Sequence, residues 1–186
     1  MEHEILMTGI GGQGIQLAAR TVAEAAIADG RRVQMFASYG GMMRGGNSDA
    51  AVVVADRPVT APPVISAAWA ALIMHHEHAA RVWAAVRPGG VAVVNASVVG
   101  AVGRPERNDI TALDVDALDI ATALGSPVAA SLVLVGALVS ATGLVSAESL
   151  LATPERVLPG YRAQSADTNR RALRAGLDAV SRLVAT

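Results

Sequence analysis

The chain has 186 residues, of which 52% are hydrophobic and 17% charged, with a formal net charge of -1. This balance excludes a disordered chain, which needs low hydrophobicity and high net charge, and it provides no global field to attract nucleic acid or an acidic membrane. The sequence contains no cysteine and no lysine, which excludes a cysteine-held iron–sulfur cluster, cysteine-ligated zinc and a Schiff-base lysine. The length predicts a single domain over residues 1–186.

Strands alternate with helices over the first two-thirds of the chain. An apolar run at Glu4–Ile10 predicts a buried strand, followed by a glycine turn and a helix that begins at Ile15. A second strand predicted at Arg32–Ser38 completes a β-α-β unit. Further strands are predicted at 49–55, 70–75, 91–95 and 110–115, with a helix at 77–86 and a turn at 87–90. This order predicts an α/β fold, a three-layer α/β/α Rossmann-like arrangement in which a mainly parallel sheet carries helices on both faces.

The last third of the chain is predicted to be helical. A short helix is expected at 116–124, a buried helix at Pro127–Thr142 with proline in its first turn, a helix capped by Ser146, and an amphipathic helix at Thr168–Leu183. Residues 120–147 carry no charge and are numerous enough to span a bilayer. Gly125 and Pro127 interrupt them, however, and no arginine flanks them closely, which favours buried helices. The acidic N-terminus is unlike a signal peptide, so we expect a cytoplasmic protein.

Gly9, Gly11 and Gly14 match the dinucleotide fingerprint G-x-G-x-x-G in its usual context, after a strand and before a helix. Glycine lets the backbone approach a phosphate, and the helix N-terminus offers unpaired N–H groups and the positive end of a dipole. Gly12 belongs to the same turn, and Gln13 could hydrogen-bond a ligand or a partner chain. A tight turn without a ligand is the alternative. The second strand lacks the acidic residue that an NAD site uses to hold the ribose, which disfavours NAD.

A second glycine-rich loop, 39–48, leaves the second predicted strand. Because the carboxyl ends of parallel strands meet at one edge of a sheet, we expect this loop beside the first turn. Its arginine could clamp a phosphate or carboxylate bidentately, the alternative being an ordinary solvent-exposed side chain. Met42 and Met43 are apolar in an otherwise polar loop, which indicates an interface. The candidate binding residues of this loop are Tyr39, Arg44, Gly45 and Gly46.

Three histidines lie together at His75, His76 and His78, next to Glu77. Neighbouring strand residues point to opposite faces of a sheet, and no second set of ligands accompanies them. This pattern favours a solvated strand-to-helix turn, so we predict no metal site. No Ser-His-Asp arrangement or spaced pair of carboxylates can be argued from the spacing, and no residue of the chain is predicted to be catalytic.

The two glycine loops together resemble the gamma subunit, or gamma domain, of the 2-oxoacid:ferredoxin oxidoreductases. The resemblance rests on residues 9–14 (Gly-Ile-Gly-Gly-Gln-Gly) and on Tyr39-Gly40 and Arg44-Gly45-Gly46. Tyr39-Gly40 stands where the indolepyruvate branch usually has His-Gly, which favours the pyruvate, 2-oxoglutarate or branched-chain branches. Met42-Met43 stands where many members carry an acidic residue. The C-terminal part agrees with the family at Val128–Val139, Asn169, Ala172 and Gly176.

The resemblance implies a subunit of an enzyme that decarboxylates a 2-oxoacid on thiamine diphosphate, passes two electrons through iron–sulfur clusters to ferredoxin and transfers the acyl group to coenzyme A. Thiamine diphosphate and the clusters would lie on alpha, beta or delta subunits, and this chain would bind no cofactor alone. It would assist assembly and shape the coenzyme A side of the site, with Gly11, Gly12, Gln13 and Gly14 as an anion or partner site and Arg44 as a charge clamp.

Two other classes stay open at this point. One is a free-standing Rossmann-type nucleotide-binding oxidoreductase, and the other is a purely structural subunit that contacts no cofactor. Under the gamma-subunit interpretation the isolated chain is expected to be inactive. Its high apolar content, together with Met42 and Met43, predicts that it forms a homodimer or aggregates when its partners are absent.

Overall fold

The computed structural model describes residues 1–39, 46–60, 64–100, 104–158 and 160–184. Its strands are β1 (Glu2–Ile10), β2 (Arg32–Tyr39), β3 (Asn47–Ala55), β4 (Ala68–Ile73), β5 (Val86–Asn95) and β6 (Thr111–Val115). Its α-helices are α1 (Ile15–Ala28), α2 (Ala80–Ala85), α3 (Ala96–Val99), α4 (Ala117–Ala123), α5 (Ala130–Thr142), α6 (Ala147–Leu151), α7 (Pro154–Val157) and α8 (Ala166–Val184). Turns of 3-10 helix occupy Pro127–Ala129 and Gly160–Ser165.

The six strands form one sheet in the order β2-β3-β1-β4-β5-β6. The β1–β4, β4–β5 and β5–β6 pairs are parallel, whereas β3 is antiparallel to both of its neighbours. The prediction of a mainly parallel α/β sheet is therefore confirmed. The predicted β-α-β unit is wrong in one respect, because β3 separates β1 from β2. An antiparallel strand can follow β2 through a short loop, whereas a parallel neighbour needs a long crossover.

Helices cover the two faces of the sheet unequally. One face packs against α1, α5 and α8, with Ile5, Val52 and Leu72 among its buried strand residues, and α4 and α6 pack against these helices in the same core. The other face packs against α2 and α3, where Trp83 and Val99 are buried over β4 and β5. Aliphatic side chains make up most of both cores, as the scarcity of aromatic residues predicts.

Helix α5 lies inside the protein, and residues 130–139 are buried on all sides. Its 13 residues correspond to about 20 Å of helix, too short for the roughly 30 Å hydrocarbon core of a bilayer. Among the described residues, no helix combines the length and apolar character needed to cross a membrane. The uncharged segment is thus explained by burial in the core, as predicted.

Several element boundaries differ from the predicted ones. The helix predicted at 77–86 is limited to α2, because His76–His78 form a turn. The turn predicted at 87–90 is a bulge within β5: Ala68 pairs with Val86 and Ala70 with Val91. The helix predicted from Pro127 begins with one 3-10 turn before α5. Short helices α3 and α7, which have only four residues each, carry too little periodicity to be predicted.

Helices α5 and α8 cross at two glycines. A Cβ added to Gly136 would lie 2.2 Å from the Leu173 carbonyl oxygen, and one added to Gly176 would lie 1.9 Å from the Val133 carbonyl oxygen. Both obstacles are backbone atoms, which cannot rotate away. The crossing therefore requires glycine on both helices, and it brings α8 close enough to bury Ala172 and Leu173.

We expect Gly176→Ala to destabilise the protein, although alanine is the better helix former. Overpacking of this kind costs typically 1–3 kcal/mol, so we expect a loss of about 2 kcal/mol. At roughly 2–4 °C per kcal/mol for a chain of this size, Tm should fall by about 4–8 °C in differential scanning calorimetry. Gly160→Ala is the matched control, because no atom of the described part of the chain lies within 4 Å of the added Cβ. Equal Tm values for the two variants would contradict the close crossing.

Asp29 connects the end of α1 to the start of α6. Its carboxylate accepts hydrogen bonds from the Ser146 N–H (2.6 Å), from Ser146 Oγ (2.9 Å) and from Ser149 Oγ. Ser146 Oγ in turn accepts from the Ser149 N–H at 3.1 Å, which confirms Ser146 as the predicted helix cap. Burial alone would raise the pKa of Asp29, but the hydrogen bonds from Ser149 and Ser146 outweigh it and hold that pKa below its ordinary value.

The lowered pKa of Asp29 predicts a pH-dependent contribution to stability. A carboxyl whose folded-state pKa is depressed stabilises the protein above its unfolded-state pKa, about 3.9, and this stabilisation is lost as the pH falls through the folded-state pKa. Asp29→Asn should therefore cost only about 0.5 kcal/mol or less at neutral pH, because the side chain is exposed and solvent screens its charge, and progressively less below about pH 4. Urea unfolding at several pH values measures this. Asp178→Asn, at an exposed acid on α8, is the control. A cost that does not change with pH would contradict the assignment.

Candidate functional site

The glycine turn lies between the carboxyl end of β1 and the first residue of α1, as the sequence predicts. Gly9 is tightly enclosed: an added Cβ would lie 2.7 Å from Gln13 Oε1 and 3.0 Å from Met74 Cβ. Gly12 and Gly14 have φ values of +97° and +78°, which L-amino acids with a Cβ rarely adopt. None of the described residues comes within 4 Å of a Cβ added to Gly12, so with respect to this part of the chain the backbone there faces open space. The turn thus exposes peptide groups that a ligand can approach closely.

Gln13 stabilises the glycine turn by two hydrogen bonds to Ile10. Its Oε1 accepts a hydrogen bond from the Ile10 N–H at 3.0 Å, and its own N–H donates to the Ile10 carbonyl oxygen at 3.1 Å. The side-chain oxygen is therefore engaged by the chain itself. The contact of Gln13 with a ligand or partner stays a prediction, for which the amide nitrogen can donate and the second lone pair of Oε1 can accept.

The end of the second glycine loop lies against the first turn. The Gly11 N–H donates to the Gly46 carbonyl oxygen at 2.8 Å. The start of β3 is fixed from both faces of the sheet, because Gln16 Nε2 donates to the Asp49 carbonyl oxygen at 3.0 Å and the Arg81 guanidinium pairs with the Asp49 carboxylate at 2.7 Å. The structure therefore brings together Gly9, Gly11, Gly12, Gln13, Gly14 and Gly46. Arg44, Gly45, the methionines Met42 and Met43 and the side chain of Tyr39 lie outside the described residues.

A cavity of about 190 Å³ opens beside the turn at the carboxyl ends of β4 and β5. Gly12 and Gln13 form one side of it, and Asn95 lies at its base. Its remaining lining is apolar: Met74, Val98, Leu118, Pro127, Val128 and Ala130. In open α/β sheets, ligands bind in such crevices outside the carboxyl ends of the strands.

Asn95 holds the floor of this cavity in place. The side chain is completely buried, and Nδ2 donates to the Met74 carbonyl oxygen at 3.3 Å while Oδ1 accepts from the Leu118 N–H at 3.3 Å. These bonds join the ends of β4 and β5 to the first turn of α4. The sequence analysis did not identify Asn95 as a site residue. The sequence feature that could have identified Asn95 is a single amide side chain at the end of an otherwise apolar strand, Val91–Asn95.

Ser131 links the start of α5 to the glycine turn, next to the same cavity. Its hydroxyl is buried and donates to the Gly14 carbonyl oxygen at 3.3 Å, and an added Cβ on Gly14 would lie 2.7 Å from Ser131 Oγ. Two helix N-termini, those of α1 and α5, therefore meet next to the cavity. Helix N-termini carry N–H groups without intrahelical acceptors and the positive end of the dipole, which together attract anions.

The described residues of the cavity offer groups suited to binding a ligand. None of the described residues lining the cavity has an ionisable side chain. What the described residues offer is an accessible glycine backbone, two helix N-termini, the amide of Gln13 and an apolar wall. This combination suits a ligand with an anionic group attached to an apolar arm.

The histidine cluster lies at the same edge, after β4, and its geometry is that of a turn. The rings of His75 and His76 stack with centroids 4.5 Å apart, and His75 Nδ1 accepts from the Glu77 N–H at 3.2 Å. Burial, followed by the charge of His76, lowers the pKa of His75, which favours its neutral form at neutral pH. Within the described residues, no group of three or more His, Cys, Asp or Glu side chains is arranged to hold a metal ion.

A larger cavity of about 650 Å³ lies beside β6 and is lined by two arginines. The Arg104 guanidinium binds both carboxylate oxygens of Asp114, at 2.7 and 2.6 Å. The Arg107 guanidinium donates to the carbonyl oxygens of Trp83 and Val86, at 2.9 and 2.8 Å, and pairs with Asp109. These cations are engaged in holding the fold together, so the greater size of this cavity does not make it the better binding site.

Comparison with known proteins shows the family of the chain. The family model described as pyruvate ferredoxin/flavodoxin oxidoreductase matches residues 4–179. The 2-oxoglutarate synthase subunit KorC of Methanocaldococcus jannaschii is 33% identical over 152 residues, covering 81% of this chain and 80% of that protein. The common gamma subunit of the pyruvate/ketoisovalerate oxidoreductases of Pyrococcus furiosus is 30% identical over 176 residues, covering 92% and 93%.

The fold is also that of a solved gamma subunit. The crystal structure of the gamma subunit of a keto/oxoacid ferredoxin oxidoreductase from Geobacter sulfurreducens superposes with a TM-score of 0.79 at 28% identity, covering 97% of this chain and 99% of that one. The family match, the relatives and the solved structure all extend over most of the chain. The chain therefore belongs to the pyruvate ferredoxin/flavodoxin oxidoreductase family, and it is similar along most of its length to the family's gamma subunits.

Proposed function

We propose that the chain is the gamma subunit of a cytoplasmic, heteromeric 2-oxoacid:ferredoxin oxidoreductase and that it contributes the coenzyme A side of the active site. The observation that carries the proposal is the open glycine turn at Gly12, which faces a cavity bordered by two helix N-termini. An anionic group of coenzyme A would bind the backbone there, and its pantetheine arm would lie along the apolar wall. Arg44, at the other glycine loop, would supply the balancing charge.

The rest of the reaction belongs to other subunits. The chain has no cysteine to hold an iron–sulfur cluster, and the described residues of the cavity include no acid or base. Thiamine diphosphate, which makes decarboxylation of the 2-oxoacid possible, and the clusters that carry electrons to ferredoxin would be held by alpha, beta or delta subunits. This division of tasks assigns assembly and coenzyme A binding to the gamma chain.

The sheet order disfavours the free-standing nucleotide-binding enzyme. In the dinucleotide-binding fold the strand after the first helix lies next to β1 and ends at an acidic residue that binds the ribose. Here β3 occupies that position, and β2 lies at the sheet edge with Ser38 and Tyr39 at its end. We therefore expect no binding of NAD or NADP by the chain.

The purified chain alone should show no 2-oxoacid oxidation and no absorbance from iron–sulfur clusters, because the groups for both are expected on partner subunits. The measurement is coenzyme A-dependent reduction of a viologen dye by the isolated chain, compared with the complex reconstituted from its subunits. Turnover by the chain without partners would refute the proposal.

Arg44→Ala should raise the KM for coenzyme A in the assembled complex by about tenfold or more, because a charge-assisted contact is worth about 1.5–3 kcal/mol and 1.4 kcal/mol corresponds to a factor of ten. Arg20→Ala, at an exposed arginine of α1, is the control and should leave the KM unchanged. Thermal stability should be the same in both variants.

Subunit assembly should be measured on the same preparations. If the Arg44→Ala complex assembles poorly but retains a normal KM, Arg44 binds a partner subunit. Normal assembly together with unaltered kinetics would remove both roles from Arg44 and favour the purely structural subunit.

A further inference from the structure

Ser131 is an exception within helix α5. The helix is buried along residues 130–139, and Ser131 has the one polar side chain of that segment. A buried hydroxyl is destabilising unless it is hydrogen-bonded, and alanine is both smaller and the better helix former. Neither packing nor helix formation therefore accounts for a serine at this position, which leaves its hydrogen bond as the feature that requires one.

The hydrogen bond of Ser131 differs from those of three helical threonines. Hydroxyl side chains within a helix commonly donate to the carbonyl oxygen four residues earlier. Three threonines follow this pattern with oxygen–oxygen distances of 2.8, 2.7 and 2.6 Å: Thr21, Thr122 and Thr142. Ser131 Oγ instead donates to the Gly14 carbonyl oxygen, 117 residues away in the sequence, at 3.3 Å. Its hydrogen bond therefore joins α5 to the glycine turn.

The acceptor of this bond is the last carbonyl group of the glycine turn. It also accepts the Ala18 N–H at 2.9 Å, the hydrogen bond with which α1 begins. Gly14 has a left-handed backbone conformation, with φ 78° and ψ 20°, and glycine is the residue whose backbone has the most alternatives to it. Ser131 thus gives a second point of attachment to a carbonyl group that α1 holds by one bond.

Fixing this carbonyl group also fixes a hydrogen-bond donor. The described residues contain no cis peptide, and in a trans peptide the C=O and N–H bonds point in nearly opposite directions. The direction of the Gly14 carbonyl therefore sets the direction of the Ile15 N–H. Ile15 is the first residue of α1, where an N–H has no acceptor within the helix. This N–H points out of the helix N-terminus, where anions bind.

Ser131 also joins two sides of the cavity beside the turn. A Cβ on Gly14 would lie 2.7 Å from Ser131 Oγ and 3.5 Å from the Val128 carbonyl oxygen, so the turn and the start of α5 are in direct contact. The turn lines the cavity on one side, and the residues leading into α5 line another: Pro127, Val128 and Ala130. The Ser131 hydroxyl therefore helps to set the relative position of these two sides.

We propose that Ser131 is a positioning residue for coenzyme A binding. Its hydroxyl does not touch the ligand. It holds the peptide group between Gly14 and Ile15 so that the N-terminus of α1 presents its N–H groups in the orientation that an anionic group of coenzyme A requires. A turn that is already held in this conformation loses less freedom when the ligand binds, which increases affinity. The inference rests on the proposed function, because it concerns the same site.

Ser131→Ala tests the inference by removing only the hydroxyl. Ser140→Ala is the matched control, because it makes the same change on the same helix, near the end remote from the glycine turn. In the complex purified with co-expressed partner subunits, Ser131→Ala should raise the KM for coenzyme A by about three- to tenfold, the factor that one hydrogen bond corresponds to. The kcat and the KM for the 2-oxoacid should stay at their wild-type values, because only binding of coenzyme A is weakened. Ser140→Ala should change none of them.

A second measurement follows the bond itself and does not depend on activity. Because the Ala18 N–H donates to the Gly14 carbonyl oxygen, hydrogen exchange at this amide reports how firmly that carbonyl is held. In the full chain, Ser131→Ala should speed exchange at Ala18 by about threefold or more, and Ser140→Ala should not. The Tm of Ser131→Ala should stay close to that of the wild type, because the helix propensity of alanine offsets the lost bond.

The two measurements separate a positioning role from a merely structural one. Faster exchange at Ala18 with an unchanged KM for coenzyme A would overturn the inference and leave the proposed function intact. Unaltered exchange at Ala18, or an equal rise in the KM values for coenzyme A and the 2-oxoacid, would also overturn it. A wild-type complex that turns over with coenzyme A but shows no protection of amides 11–17 by it would instead refute the proposed function, and the inference with it.

Discussion

The direction of β3 is the constraint on which the site depends. Because β3 runs antiparallel to both β1 and β2, it begins at the edge of the sheet where those strands end. Gly46, which precedes β3, therefore lies next to Gly11 and accepts its N–H hydrogen bond. The first glycine turn and Gly46, about 30 residues further along the sequence, are therefore joined by a backbone hydrogen bond. A parallel β3 would start at the opposite edge, and Gly46 would not lie next to Gly11.

Local patterns account for what the sequence could predict. The apolar run of β1, the glycine turn, the helical spacing in α1 and the Ser146 cap are each encoded in a few neighbouring residues, and all are found where predicted. The direction and place of β3 could not be predicted in this way, because strand pairing is decided between distant residues. For the same reason the hydrogen bond from the Ile10 N–H to the Gln13 side-chain oxygen could not be predicted, and the contact of Gln13 with a ligand or partner stays a prediction.

The parts of the site that sequence analysis missed are buried polar groups. Asn95 and Ser131 lie within apolar segments, where one amide or hydroxyl does not disturb the hydrophobic pattern. Their importance comes from what they join: Asn95 links two strand ends to α4, and Ser131 links α5 to the glycine turn. Only the packed structure shows these partners. Small residues such as Gly14 and Gly176 have a similar role, since they allow backbones to approach more closely than any other residue could.

The central claim is that the backbone of the glycine turn binds coenzyme A in the assembled enzyme. Hydrogen–deuterium exchange of the complex, with and without saturating coenzyme A, tests it most directly because it reports on the amides themselves. The account predicts slower exchange at residues 11–17 when coenzyme A is bound, with no change at the exposed face of α8. Unchanged exchange at residues 11–17 in a complex that demonstrably binds coenzyme A would contradict it.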